Sequence, residues 1–187
     1  MKNSSLKLAS FCLFYMGVST SVLASESVVT EENKTPETIE VVWQDAEKFR
    51  DVRPVNEGRK RFRERVLQQL EAHIVSKGDD LPSGQSLKIT VSDVDLAGQV
   101  WPMSFVGMGQ SGGDVRLIKD IDIPRMDLSY ELMDQSGQVL KSDTVKLKDM
   151  AFLQSSHMRY RNDHLRHEKK MLDDWFKRTF VNKQSNS

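Results

Sequence analysis

Leu87-Lys88-Ile89-Thr90-Val91-Ser92-Asp93-Val94-Asp95-Leu96 is the stretch whose reading decides the fold. Leu87, Ile89 and Val91 alternate with polar residues, the period of a strand with one buried face. The apolar phase then slips by one residue, to Val94 and Leu96. A slip of one turns the apolar set to the opposite face unless a bulge absorbs it, so a bulge is expected near Ser92-Asp93. A strand of this kind needs a second layer on its apolar side.

The preceding residues supply one. Over residues 56–76, Phe62, Val66, Leu70 and Ile74 recur at steps of four with Leu67 beside them, the stripe of an amphipathic helix. Asn56 is expected to cap it, and Gly78 to take the left-handed conformation beyond its end. Leu81-Pro82-Ser83-Gly84 reads as a turn. Further back, Ile39, Val41 and Trp43 alternate as a short strand, and residues 45–55 form a polar connection ended by Pro54.

On the other side, residues 97–113 hold five glycines among Trp101, Met103, Phe105, Val106 and Met108, and read as a long irregular loop or hairpin tip. Val115, Leu117, Ile121 and Ile123 continue as a strand. After Pro124 the phase moves to Met126, Leu128, Tyr130 and Leu132. Asp134-Gln135-Ser136-Gly137 is a hairpin turn, with Val139, Val145 and Leu147 on the return strand. Leu165, Met171, Leu172, Trp175, Phe176 and Phe180 predict a second amphipathic helix near 164–180, with Asp163 as its cap. Short links between strands favour antiparallel pairing. The expected fold is α+β: an antiparallel sheet of four to five strands with two helices packed on it, a two-layer sandwich spanning residues 38–180.

The N-terminus predicts export. Lys2 and Lys7 precede the uncharged run from Phe11 to Val18, and Val22-Leu23-Ala24 sets small residues where a signal peptidase cuts, between Ala24 and Ser25. The run is too short and too rich in serine for a membrane span, so no transmembrane segment is expected after residues 1–24 are removed. Phe11 before Cys12 argues against a lipoprotein signal. Residues 25–37 lack any apolar period and read as a flexible leader, and 181–187 as a frayed tail. Cys12 is the one cysteine of the 187 residues, so cleavage leaves a mature chain without thiol chemistry in an oxidising compartment, the periplasm.

Lys plus Arg number 27, as do Asp plus Glu. The signal takes two of the basic residues and none of the acidic ones. A mature chain near neutrality gives no support to nucleic-acid binding. Gly107-Met108-Gly109-Gln110-Ser111-Gly112 spells a dinucleotide fingerprint, yet a strand rather than a helix follows it, so no nucleotide is expected. His164 and His167 with Glu168 resemble half of a zinc site; a solvated helix face is the expected role. His73 reads as a partly exposed edge residue. Asp93 with Asp95, and Asp120 with Asp122, pair carboxylates without the further oxygens of a calcium loop. The basic run from Arg59 to Arg65 reads as a solvated helix face around Phe62. No G-x-S-x-G elbow occurs, and neither a metal nor a cofactor is expected.

Trp43-Gln44-Asp45 with Phe49-Arg50-Asp51-Val52-Arg53, Leu81 to Gln85, Asp93-Val94-Asp95-Leu96-Ala97-Gly98, Ile123-Pro124-Arg125, Leu128-Ser129-Tyr130, Lys148-Asp149-Met150, Glu168-Lys169 and Met171 to Phe176 form a set of blocks. Through them the chain resembles a bacterial envelope family known as domain of unknown function 3016, over roughly residues 40 to 176. The resemblance implies an exported setting and brings no assigned activity. The leading expectation is a non-enzymatic binding module of the cell envelope. Trp101, Phe105 and Met108 would either fold back and complete the core or stay accessible as apolar anchors, with Arg116 as an anion contact and an envelope protein or a lipid surface as partner. The alternative is a hydrolase or metal-dependent enzyme using Asp93, Asp95 and Arg125.

Overall fold

The computed structural model describes residues 38–107, 113–154 and 158–181. The expected signal peptide, cleavage site, leader and nearly all of the tail lie outside the described residues. So does Met108.

The chain runs β1 (Ile39–Trp43), α1 (Arg59–Val75), β2 (Ser86–Asp95), β3 (Gln99–Pro102), β4 (Asp114–Leu117), β5 (Arg125–Met133), β6 (Val139–Lys148) and α2 (Arg166–Phe176). It is an α+β fold. One sheet has the order β1-β2-β5-β6, and β3 with β4 makes a separate two-stranded ribbon. β2, β5 and β6 pair antiparallel. β1 departs from the expected pattern: it runs parallel to β2, with Val41 opposite Ile89. The link between them is a helix and not a tight turn, and a crossover of that length returns the chain in the same direction.

The expected bulge is present. The β2–β5 register shifts between Val91 and Asp93, so that Val91 opposes Leu128 and Val94 opposes Met126. All four side chains remain in the core with Ile39, Leu87, Ile89 and Tyr130. Opposite alternation sends Lys88, Thr90, Ser129 and Glu131 to the other face, which is polar. The helices cover the apolar face. α1 contributes Val66, Leu67, Leu70 and Ile74, and α2 contributes Met171, Leu172, Trp175 and Phe176. Phe62 is only partly buried and packs at the edge of this core. Beyond α2 the chain makes a π-helical turn, Lys177–Val181, which carries Phe180 into an aromatic cluster with Tyr130, Trp175 and Phe176. The helices are joined through Asp173, whose carboxylate accepts from His73 at 2.9 Å, Lys77 at 2.6 Å and the Tyr160 hydroxyl at 2.6 Å.

Several local expectations need correction. Gly58, not Asn56, precedes α1, and no side chain caps it. The Asn56 side chain lies instead so close to Gly113 that a Cβ there would fall 2.6 Å from its oxygen. Gly78 opens a 3₁₀ turn, Gly78–Asp80, and is not one of the positive-φ residues. The strand begun by Val115 ends at Leu117; Ile121 is 74 % exposed in the loop that leads to Pro124. The supposed irregular loop is a ribbon whose described tip is a 3₁₀ turn, Met103–Val106. Gly98 makes this ribbon possible. It has φ 79°, and a Cβ there would meet the Leu117 carbonyl oxygen at 2.4 Å.

Candidate functional site

A cleft of about 480 Å³ opens where the start of α1, the start of α2 and the β2–β3 and β4 segments meet. Its wall is mixed. Phe62 and Val66 of α1, Leu96, Ile118 and Leu165 give apolar surface, while Arg53, Arg65, Arg116 and Arg166 bring cations and Glu57 and Glu168 bring acids. A concave, mostly apolar hollow with a few convergent polar groups is the usual form of a small-molecule site.

Glu168 is the unusual member. It sits in the first turn of α2, where backbone N–H groups favour a carboxylate. Yet it is only 2 % exposed. Oε1 accepts from the Ala97 N–H at 2.7 Å; Oε2 has no hydrogen-bond partner among the described residues. Burial pushes the carboxyl upward from its ordinary value, and the N–H groups of Ala97 and of Glu168 itself, with the nearby Arg116, oppose that only in part. A half-satisfied carboxylate in a cavity wall is costly to keep, and such groups cluster at functional sites. His167, the next residue, is also buried, with its ring edge-on to Phe152 at 4.8 Å. Its Nε2 accepts from the Arg166 Nε at 3.2 Å.

This overturns the reading of His164, His167 and Glu168 as a solvated helix face. His164 alone is exposed; the other two are core-facing. The signal was in the sequence. Leu165, Glu168, Leu172 and Trp175 follow one another at steps of three and four, so Glu168 stands on the apolar stripe. His73 is more enclosed than an edge residue, bonded to Asp173 between the helices.

Arg116 is engaged within the chain. Its Nη1 donates to Asp51 Oδ2 at 2.9 Å and to the carbonyls of Gly98 at 3.0 Å and Ala97 at 3.3 Å, and Nη2 donates to the Arg53 carbonyl at 3.0 Å. One guanidinium therefore stitches β4 to the 51–53 segment and to the β2–β3 connection. The fork geometry of arginine suits several acceptors at once. It lines the cleft and holds its walls together.

Of the proposed apolar anchors, Phe105 is 76 % exposed on the tip of the ribbon, and Trp101 is half-buried with its Nε1 enclosed and without a partner among the described residues. Their rings lie 6.4 Å apart, and the Lys119 ammonium stands 5.2 Å from the Trp101 ring. Neither lines the cleft.

Asp93, Asp95 and Arg125 do come together, on the bulged end of β2 and the start of β5. Their occupant is another residue of the chain. Asp93 Oδ1 accepts the Arg50 N–H at 2.8 Å, and the Arg50 guanidinium reaches Asp93 at 3.1 Å and Asp95 at 3.4 Å. Arg125 stands 3.9 Å from Asp95. Burial pushes the Asp95 carboxyl up, and Arg50 draws it down only in part. The bulge thus presents two carboxylates to hold the segment after β1. A second hollow, of about 370 Å³, lies between the ends of α1 and α2, and Lys77, Asp173, Lys170 and Asp174 pair with one another there. Among the described residues, no three His, Cys, Asp or Glu side chains gather as a metal site, and no helix is long and apolar enough to cross a membrane.

Three of the blocks that carry the family resemblance, 49–53, 93–98 and 168–169, meet around Arg116 and Glu168. No curated protein and no solved structure matches the chain. A family described as protein of unknown function (DUF3016) matches residues 37–178, most of the chain, and the protein belongs to it.

Proposed function

We propose that the protein is exported to the periplasm and works there as a non-catalytic binding module that holds a small ligand in the cleft between α1 and the start of α2. One observation supports this above the others: Glu168 is buried in the cleft wall with one oxygen bonded and the other unmet. A fold that needed this carboxylate only for the Ala97 N–H would be served as well by glutamine, without a buried charge. The pattern of residues 1–24 supports export, and the envelope is where its ligand or partner is sought.

The hydrolase alternative has less behind it. Asp93 and Asp95 are engaged with Arg50, and Arg125 with Asp95, outside the cleft, and a group that pins backbone is poorly placed to turn over substrate. Phe105 and Trp101 keep a second contact open, a protein or lipid surface met by the ribbon tip.

Native mass spectrometry of the protein purified gently from its own envelope tests both parts. The expected result is an N-terminus at Ser25 and a bound small molecule that dissociates on activation and is missing from a Glu168→Gln variant. An intact Met1, or a bare chain in every preparation, counts against the corresponding half.

A further inference from the structure

The lining of the cleft carries charges of both signs. Among the cations, Arg166 uses its Nε for His167, and its terminal nitrogens have no partner among the described residues. Arg53 is also under-used: it reaches Asp51 only at 4.0 Å, and its side chain is largely exposed. The other two arginines are engaged, Arg65 with Glu57 and Arg116 with Asp51 and three carbonyls. The Arg166 fork, and that of Arg53 with only its long contact to Asp51, can take a planar anion in bidentate fashion, the geometry of a carboxylate. The acid Glu168 lines the same cleft, with its buried Oε2 unpartnered among the described residues. A buried carboxylate oxygen is best satisfied by a charged N–H donor, which supplies a hydrogen bond and a counter-charge together. Phe62, Leu96 and Ile118 provide apolar surface in the cleft.

We propose, building on the reading of this cleft as a binding site, that its ligand is a zwitterion with an apolar side chain, an amino acid or the end of a short peptide. The carboxylate is taken by Arg53 and Arg166, the ammonium by Glu168 Oε2, and the side chain lies on Phe62, Leu96 and Ile118. A simple anion would leave Glu168 unmet and face its charge. A simple cation would leave both arginine forks idle and face theirs. A ligand carrying both charges meets each group with its complement.

Four compounds separate the possibilities: L-leucine, the dipeptide Leu-Leu, N-acetylleucine, which lacks the ammonium, and leucinamide, which lacks the carboxylate. Each is titrated into the chain from Ser25 onward and followed by the backbone amide resonances of Ala97 and Leu165. Leucine or Leu-Leu is expected to shift both resonances, and whichever binds more tightly distinguishes a free amino acid from a peptide end. N-acetylleucine and leucinamide are expected to bind at least tenfold more weakly. Glu168→Gln should abolish the preference over N-acetylleucine. Arg166→Gln, a change at a partly exposed side chain, should abolish the preference over leucinamide and keeps the test usable if the buried variant misfolds. Equal binding of all four compounds would overturn the charge pairing while leaving the cleft a binding site. Silence of both resonances toward all four at millimolar concentration would overturn the zwitterion, and the bound species sought by native mass spectrometry then decides separately whether the cleft binds anything.

Discussion

Replacing Arg116 by alanine tests the stitching of the cleft most directly. The side chains of Arg116 and Asp51 are 18 % and 15 % exposed, so their pair is shielded from water though not sealed. Removing one partner of a fully buried pair costs about 3–5 kcal/mol, mostly by stranding the other charge. Asp51 can take water here and keeps Arg53 at 4.0 Å, which places the loss at the low end of that range. The carbonyls of Arg53, Ala97 and Gly98 also lose a charged donor, although at least the one at the exposed edge exchanges it for solvent. Together these give about 3 kcal/mol, or roughly 6–12 °C in Tm for a domain of this size. Urea unfolding of the chain from Ser25 onward should show a lower midpoint with an unchanged slope. Arg116→Lys should recover about half of the loss, since a point charge can keep Asp51 but cannot serve four acceptors. A double-mutant cycle with Asp51→Asn should give a coupling of about 1–2 kcal/mol. Arg125→Ala is the control: its exposed pair with Asp95 is worth under about 0.5 kcal/mol. If Arg116→Ala is no more destabilised than Arg125→Ala, the stitch is refuted and Arg116 reverts to a surface contact.

Phe176, buried among Trp175 and Phe180, should cost about 3–5 kcal/mol when cut to alanine, read by thermal melting; a loss below 1 kcal/mol would place the α2 stripe outside the core. Acid sensitivity should centre on Asp173. Burial alone would raise its carboxyl, but hydrogen bonds from His73, Lys77 and Tyr160 outweigh it and hold it well below the ordinary 3.8. A depressed folded-state value gives stability that is complete above the ordinary value and lost as pH falls below it, so the gap between the wild type and Asp173→Asn should close in acid; a constant gap refutes it. The same bond, with burial, pushes the Tyr160 phenol up to about 12, visible as a delayed absorbance rise in alkali. Glu168 has the opposite sign to Asp173. Its folded-state value is raised, so the charge destabilises the fold increasingly as pH climbs past the ordinary 4.5. Glu168→Gln, which keeps an oxygen for the Ala97 N–H, should match or exceed the wild type in Tm at neutral pH, and a clear drop would show that the buried charge is itself stabilising.

What the sequence determined by itself was local and periodic. The alternation of Leu87, Ile89 and Val91 and its slip at Ser92-Asp93 are visible without a structure because a strand's faces repeat every two residues and only a bulge can reset them. The stripes of both helices and the Asp134–Gly137 turn were legible for the same reason. In the turn, Gly137 takes φ 82° and Asp134 Oδ1 accepts from the backbone of Ser136 and Gln138. Even Glu168 was legible in part, standing on a stripe that otherwise holds Leu165, Leu172 and Trp175. What only the tertiary structure decided were pairings between residues far apart in the chain. The parallel seat of β1 beside β2 depends on where α1 returns the chain, which no local period records. Arg50 lies 43 residues from Asp93, Arg116 lies 65 from Asp51, and Ala97 lies 71 from Glu168. Charge and spacing alone could not say which groups the aspartates and Arg116 meet. Long-range folding gave them partners within the chain, and it left the unmet oxygen of Glu168 in the wall of the cleft.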